Sequence, residues 1–261
     1  MTSMAAKPGI DTGRPHPARV YDFLLGGKDH YEVDRELGEK IPEFMRLAAH
    51  ENRAFMRRAT TWTAQRGVTQ FLDIGTGIPT EPNLHQVAQG VHPAARVVYA
   101  DNDPVIMRHA EALLVGTPEG ATRYIEADIR EPGVILEQAR KHLDFERPIT
   151  LSLIAIMHFV VDAYDPYGVV RTLVDALPPG SHLALTHVCL DGFAEAGEEL
   201  NKTYTSAIEA QSRSYADIQR FFDGLDLVEP GLVATPRWRK DAPVPPRGER
   251  HPTYAGLALK R

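Results

Sequence analysis

One cysteine, Cys189, stands in 261 residues. A single thiol cannot close an intramolecular disulfide, and no CxxC pair is present to hold a zinc ion. A reducing, cytoplasmic setting is the expectation, and no metal site is expected. Positive charge is not in excess either. The formal net charge is −6, so the chain lacks the basic footprint of a nucleic-acid binder and no nucleic-acid partner is expected. No apolar run approaches the length that spans a bilayer, and the opening MTSMAAKPGIDTGRPHPARV has no apolar core of a secretory signal. No membrane association is expected from it. With 43% hydrophobic and 25% charged residues, wholesale disorder is excluded and a sizeable core is available. Internal repeats, low-complexity tracts and a second-domain boundary are all missing.

What is present takes the form of alternation. Residues 1–17, rich in Pro, Gly and small side chains, read as a loose arm. Residues 18–66 read as helical and as a cap or lid. Within them, helical spacing at Val20, Phe23 and Leu24 breaks at Gly26-Gly27 and resumes in a second polar helix, and a long helix follows over about Pro42–Arg66. The glycine pair has two readings. It can be a helix C-cap, or, with Tyr21, Asp22, Lys28, Asp29, His30 and Tyr31 crowded around it, the hinge of a lid over a site. From residue 67 to 261 strands and helices alternate. Strands are expected at 69–74, at ARVVYADND (95–103), in ATRYIEADIRE ending at Asp128, along PITLSLIAIMHFV (148–160) and at SHLALTHVCLD. Helices are expected at TEPNLHQVAQ, PVIMRHAEALLV, GVILEQARKHL and YGVVRTLVDALPPG. That pattern predicts an α/β fold with a doubly wound, mostly parallel sheet. Residues 192–219 are polar and helical in pattern, and the chain then ends in a short strand, a Pro- and Arg-rich connection and the strand YAGLALKR. Two strands with no helix between them must pair antiparallel or lie apart.

The stretch FLDIGTGIPT, 71–80, organises the rest. A buried strand carrying Asp73 runs into Gly75 and Gly77, and Pro79-Thr80 is expected to open a helix. Strand, glycine turn and helix in that order make a nucleotide site at a strand's carboxyl end. The dinucleotide fingerprint needs a third glycine where Thr80 stands, and a P-loop needs a Lys-Ser/Thr pair that is absent. What remains is three carboxylates at strand ends, Asp73, Asp101 and Asp128. An acid after the second strand can accept ribose hydroxyls, and one after the third can accept from an adenine amino group. Three acids disfavour a polyphosphate and suit an uncharged or cationic ligand such as an adenosyl sulfonium. Each acid taken singly can equally be a turn-forming or helix-capping carboxylate.

FLDIGTGIPT, VVYADNDP and YIEADIREP resemble the first three motifs of class I S-adenosylmethionine-dependent methyltransferases. ARVYDFLLGGKDHYEVDRE, ENRAFMRRA, FLDIGTGIPT and ALPPGSHLALTH together resemble an actinobacterial methyltransferase family of unassigned substrate, over nearly the whole chain. A departure is Pro79, where many methyltransferases carry a third glycine. The resemblance implies a seven-stranded Rossmann-like sheet with an antiparallel terminal strand, and S-adenosyl-L-methionine as cofactor. It implies that Gly75, Thr76 and Gly77 line the methionine part, and that Asp73 orients the turn or meets the amino group. It places Asp101 on the ribose, Asn102 beside the adenine, Asp128 and the Ile129 backbone at the adenine edge, and Ala155 and Met157 beside the sulfonium. Arg53 would pair with the cofactor carboxylate by its planar fork; a surface arginine is the alternative.

Methyl transfer from a sulfonium is an in-line displacement, so positioning and exclusion of water dominate. A base within reach of the acceptor is an optional part. His158, after the fourth strand, and His187, closing the fifth, are candidates, as is Tyr21; Gly26, Gly27, Lys28 and His30 would form the acceptor side of a lid. Each histidine has the alternative of a strand-end residue bonded to backbone. The leading expectation is a methyltransferase for a small-molecule acceptor. A non-catalytic S-adenosylmethionine-binding protein and a nicotinamide oxidoreductase are the alternatives. Acceptor identity and oligomeric state have no readable code.

Overall fold

The computed structural model describes residues 11–103, 106, 116–240 and 250–261. The helix expected from PVIMRHAEALLV therefore lies, apart from Ile106, outside the described residues, as do residues 1–10 of the arm and 241–249 of the Pro- and Arg-rich connection.

Three helices come first: α1 (Pro17–Leu24), α2 (Glu32–Gly38) and the 22-residue α3 (Glu43–Ala64). Alternation follows, through β1 (Gln70–Ile74), α4 (Leu84–Val91), β2 (Arg96–Asp101), β3 (Ala121–Glu126), α5 (Pro132–Ala139), β4 (Thr150–Leu153), α6 (Pro166–Asp175) and β5 (His182–Val188). The last part holds α7 (Ala194–Thr205), α8 (Tyr215–Gln219), β6 (Asp226–Leu227), β7 (Val233–Ala234) and β8 (Thr253–Leu259). The sheet runs β3-β2-β1-β4-β5-β8-β6, with β7 also on β8. The first five are parallel, and β8 pairs antiparallel with β5 along its whole length. β5 occupies one edge of β8, so β6 and β7 share the other, meeting different ends of it. The expected seven-strand arrangement is thus present, its outermost position split in two.

Every residue of β1 is buried, as a central parallel strand covered on both faces requires. Side chains alternate across it. Phe71, with Val97 and Tyr99, packs against Met56 and Ala64 of α3 and Leu84 and Ala88 of α4. Leu72 and Ile74 face the other way, onto Ile135 of α5 and Val170 and Leu173 of α6. The chain builds outward to one side from β1 and to the other from β4. The crevice between their carboxyl ends is where sheets of this kind open.

Three expectations need correction. β4 stops at Leu153, although the apolar run continues to Val160. Ala155 turns the chain out at φ 56°, and Met157–Phe159 forms a 3₁₀ turn. Met157 and Val160 are apolar because they plug the core beneath that turn, and an apolar run does not tell a buried strand from a buried turn. β3 ends at Glu126 because its partner β2 ends at Asp101, so Asp128 lies on the loop beyond. The helix after the glycine turn begins at Leu84, capped by Asn83, whereas Pro79-Thr80 belongs to the preceding loop.

The N-terminal helices are joined by two buried aspartates. Asp34 accepts from the His16 and Tyr31 amides and pairs with Arg19 at 2.9 Å, the Arg19 side chain being 3% exposed. Asp22 accepts from the Asp29 amide and lies 3.0 Å from His30 Nδ1. Gly26 takes φ 80°, its amide donating to the Phe23 carbonyl and that of Gly27 to Asp22. This double bond pattern is a Schellman C-cap. A Cβ on Gly27 would come within 1.9 Å of the Asp22 carboxylate. Of the two readings of the glycine pair, the helix cap is the one the backbone forms, with Asp29 and His30 bonded to Asp22 at the end of α1.

Candidate active site

A cavity of about 290 Å³ opens at the carboxyl ends of β1, β2 and β4 and is roofed by α1, α3 and α7. Its floor is the glycine turn. Gly75 and Gly77 adopt φ 73° and 63°, and a Cβ on Gly75 would meet Ile156 at 2.5 Å. The Gly75 amide still donates to Ala100, so the turn grows directly from the β1–β2 ladder. Thr76 and Tyr124 share a hydroxyl hydrogen bond of 2.8 Å. Beyond the turn, Arg53 reaches from α3 to donate to the Thr80 and Pro82 carbonyls. Arg53 lines the cavity, so it is not a surface arginine. With α4 starting only at Leu84, no helix N-terminus stands directly behind the turn, and that is the element a dinucleotide fold uses to hold pyrophosphate.

Negative charge is concentrated here instead. Asp73, on β1, is 8% exposed, and burial pushes its carboxyl up to about 6, against the pull of Ser152 and Arg53. Asp101 is also pushed up to about 6 by burial, although its two oxygens accept from the Gly77 and Asp103 amides at 2.9 and 3.0 Å. Asp128 differs. Burial raises it, but hydrogen bonds from Arg130 and Asn102 together hold it below its ordinary value. Asn102, Asp128 and Ile129 form one rim of the cavity with Arg130. Opposite them Ala155, at its positive φ, is held by its amide donating to the Thr186 hydroxyl at 2.8 Å. Left-handed backbone at a non-glycine residue is strain of the kind that gathers at functional sites.

The expected residues do not all converge. Met157 is fully buried in the core and lines no part of the cavity; Ile154, Ala155 and Ile156 form that wall. Gly26, Gly27, Lys28 and His30 are also outside it, being committed to the cap of α1 or to solvent. Tyr21 lines the cavity, but its hydroxyl donates to the Ala49 carbonyl and accepts from Asn52, and burial raises it further above neutrality. It is poorly placed to take a proton. His187 is no free base either. Its Nδ1 donates to the Val188 carbonyl at 2.7 Å and its Nε2 accepts from Arg213 at 2.9 Å, so both nitrogens are engaged. Burial, with Arg213 adding to it, lowers the ring to about 3. His158 lines the cavity and has no hydrogen-bonded side-chain partner among the described residues. Burial, then His187 and Arg213, hold it well below its ordinary value, so it is a neutral imidazole.

Some contributors gave no signal in the sequence. Arg213, in the loop after α7, is 2% exposed and donates to the Met157 and Val160 carbonyls, to His187 and to Asp162. His16 lines the cavity and lies 3.1 Å from Asp103. Tyr204 enters from α7.

The sequence profile of the S-adenosyl methyltransferases matches residues 3–261. The chain belongs to that family. It is similar to a DUF574 family protein from Streptomyces avermitilis, at 41% identity and a TM-score of 0.92 over 97% of this chain and 100% of the other. A protein from Thermobifida fusca is 39% identical, with a TM-score of 0.89 over 97% and 98%. The magnesium protoporphyrin IX methyltransferase of Synechocystis, solved with bound S-adenosylmethionine, shares the fold at 12% identity and a TM-score of 0.51, over 93% and 90%. No curated protein matches the chain. This S-adenosyl methyltransferase uses S-adenosylmethionine as its methyl donor, and the nicotinamide and non-catalytic alternatives fall away. Among its described residues no helix is long and apolar enough to cross a membrane.

Gly75→Ala in this methyltransferase should cost about 1–3 kcal/mol of stability, the scale of forced left-handed backbone. It should also weaken S-adenosylhomocysteine binding, because Ile156 must yield into the cavity. Denaturant unfolding and calorimetry measure the two effects; wild-type values for both would show that the turn has room to spare.

Proposed function

We propose that the charged half of the cavity holds S-adenosylmethionine and that the apolar half admits a small-molecule acceptor. The observation that carries this reading is the pair of buried carboxylates, Asp73 and Asp101, set beside a glycine turn with no helix N-terminus behind it. Such a donor set fits a cationic adenosyl ligand and repels a pyrophosphate. When bound, the cofactor supplies a methyl group on a positively charged sulfur. Gly75, Thr76 and Gly77 present backbone to its methionine portion. Asp73 meets the ammonium, and Arg53 stands close enough to the turn to meet the carboxylate. Asp101 accepts from the ribose hydroxyls, with lone pairs left over from the Gly77 and Asp103 amides. Asn102, Asp128 and the Ile129 backbone border the adenine, and Ala155 borders the sulfur. Residues 18–66 act as a cap, α1 and α3 closing the cavity from above, and transfer rests on positioning and exclusion of water.

The test is calorimetry with S-adenosylhomocysteine and NAD, followed by single-turnover transfer of labelled methyl to a small-molecule extract. Binding of the first ligand alone, and label in a small molecule, are the expected results. Tighter NAD binding, or label appearing only in protein or nucleic acid, would overturn it.

A pH dependence follows. Both carboxyls titrate near 6 in the free protein, so they are ionised above that pH and protonated below it. The cationic ligand favours the ionised form, and affinity is therefore lost as pH falls through 6. If only the ionised form binds, each carboxylate should raise the apparent Kd about tenfold between pH 7.5 and 5. An S-adenosylmethionine affinity that is flat over this range would remove both aspartates from the contact.

A further inference from the structure

The apolar half of the cavity is built by elements that have no part in the glycine turn. Leu24 of α1, Ile41, Met45 of α3, Leu200 of α7 and Phe159 line it, and all belong to one hydrophobic cluster. The charged groups of the cavity are all tied to the other half. Arg53 is bonded to the loop after the turn, Asp101 to the turn itself, Asp128 to Arg130 beyond β3, and His16 lies against Asp103. Among the described residues, no formally charged side chain lines the apolar half. An ion entering it would lose its water and find no counter-charge to offset that loss.

Asn201, Thr205, Gln211 and Ser212 also line the cavity from α7 and the loop after it, Thr205 bonded to the Asn201 carbonyl and Gln211 to Asp162. The two aromatic polar side chains packed on Phe159, Tyr204 and His158, are not satisfied by the protein. Tyr204, whose ring lies 6.2 Å from that of Phe159, makes no hydrogen bond through its hydroxyl among the described residues, and burial keeps that hydroxyl protonated. His158, against Phe159 at 4.2 Å between ring centres, has no hydrogen-bonded side-chain partner there either. Buried polar groups are normally paired. A pair of neutral, unpartnered groups on a wall without formal charge is what a ligand with one or two neutral polar atoms would complete.

We infer that the acceptor is an uncharged, largely apolar small molecule whose hydroxyl or N–H group is recognised by Tyr204 and His158. This rests on the proposed placing of the cofactor in the charged half. Charge selection comes from the absence of a counter-ion in the wall, and orientation comes from the two polar groups beside Phe159. A neutral imidazole accepts a hydrogen bond from a hydroxyl or N–H without attracting an anion, and the Tyr204 hydroxyl can donate or accept.

The probes are 2-naphthol, 2-naphthoate and 2-naphthylmethylammonium, equal in ring size and different in charge, titrated calorimetrically into the full-length protein saturated with S-adenosylhomocysteine. 2-Naphthol should bind at least about tenfold tighter than either ion. Tyr204→Phe should weaken it about fivefold, the scale of one neutral hydrogen bond, and leave S-adenosylhomocysteine affinity as in the wild type. Met45→Lys, at a half-buried position, should reverse the preference toward 2-naphthoate. The inference is overturned if an ion binds as tightly as the naphthol, if Tyr204→Phe changes nothing, or if no probe binds while S-adenosylhomocysteine does. Failure of S-adenosylhomocysteine itself to bind would instead sink the placing of the cofactor, a separate result.

Discussion

Arg213→Ala should destabilise the fold by about 3–5 kcal/mol, because a buried hydrogen-bonded group left unpaired costs about 1–3 kcal/mol and this change orphans two, the Val160 carbonyl and His187 Nε2. The guanidinium donates to the carbonyls of Met157 and Val160 and to Nε2 of His187, all shielded from water. Its ion pair with Asp162 contributes little to the loss, since that carboxylate is 65% exposed and screened. Water entering the vacated space would recover part of the cost. For a chain of this size the midpoint should fall by about 10 °C. Arg213→Lys should recover only a fraction, because one ammonium cannot span acceptors that a planar fork reaches. Thermal and urea unfolding check this, and a shift under 2 °C would mean that the loop after β4 holds its shape unaided. The same bonds fix the turn carrying Ala155 and His158, so weaker acceptor binding should accompany the lower midpoint.

Asp101→Ala should raise the Kd for S-adenosylhomocysteine about 10- to 150-fold, corresponding to 1.5–3 kcal/mol for hydrogen bonds to a charged group. The carboxylate has two tasks, accepting from the Gly77 and Asp103 amides and, in the proposed placing, from the ribose hydroxyls. Loss of the first loosens the turn, and loss of the second removes direct contacts. Asp128→Ala is the comparison. That side chain is already engaged by Arg130 and Asn102 and stands 18% exposed, so its replacement should cost less. Calorimetry on both variants gives the ranking. Unchanged affinity in Asp101→Ala would remove the ribose role, and a larger effect at Asp128 would invert the placing of ribose and adenine.

Local pattern and tertiary placement divide cleanly in this protein. FLDIGTGIPT and VVYADNDP were legible because a buried strand, a left-handed turn and a carboxylate at a strand end each impose a residue type on the position itself, whereas Asp128 of YIEADIREP proved to lie on the loop beyond its strand. Glycine at 75 is required by φ 73° and by Ile156 above it. The order of those segments also dictated a parallel sheet with an antiparallel end, since alternation of strand and helix leaves few other ways to pair. What the sequence by itself determined is therefore the fold class, the family and the charged half of the cavity. The rest depended on contacts between residues far apart in the chain. Arg213 and His187 are bonded across 26 positions, and Tyr21 and Asn52 across 31. A histidine or tyrosine looks the same in sequence whether its polar atoms are engaged or free. Tertiary structure alone decided that His187 and Tyr21 are engaged, that His158 and Tyr204 are available, and that Gly26-Gly27 caps a helix. The physical reason is that hydrogen-bond capacity belongs to a residue, whereas its satisfaction belongs to the neighbours that folding brings to it.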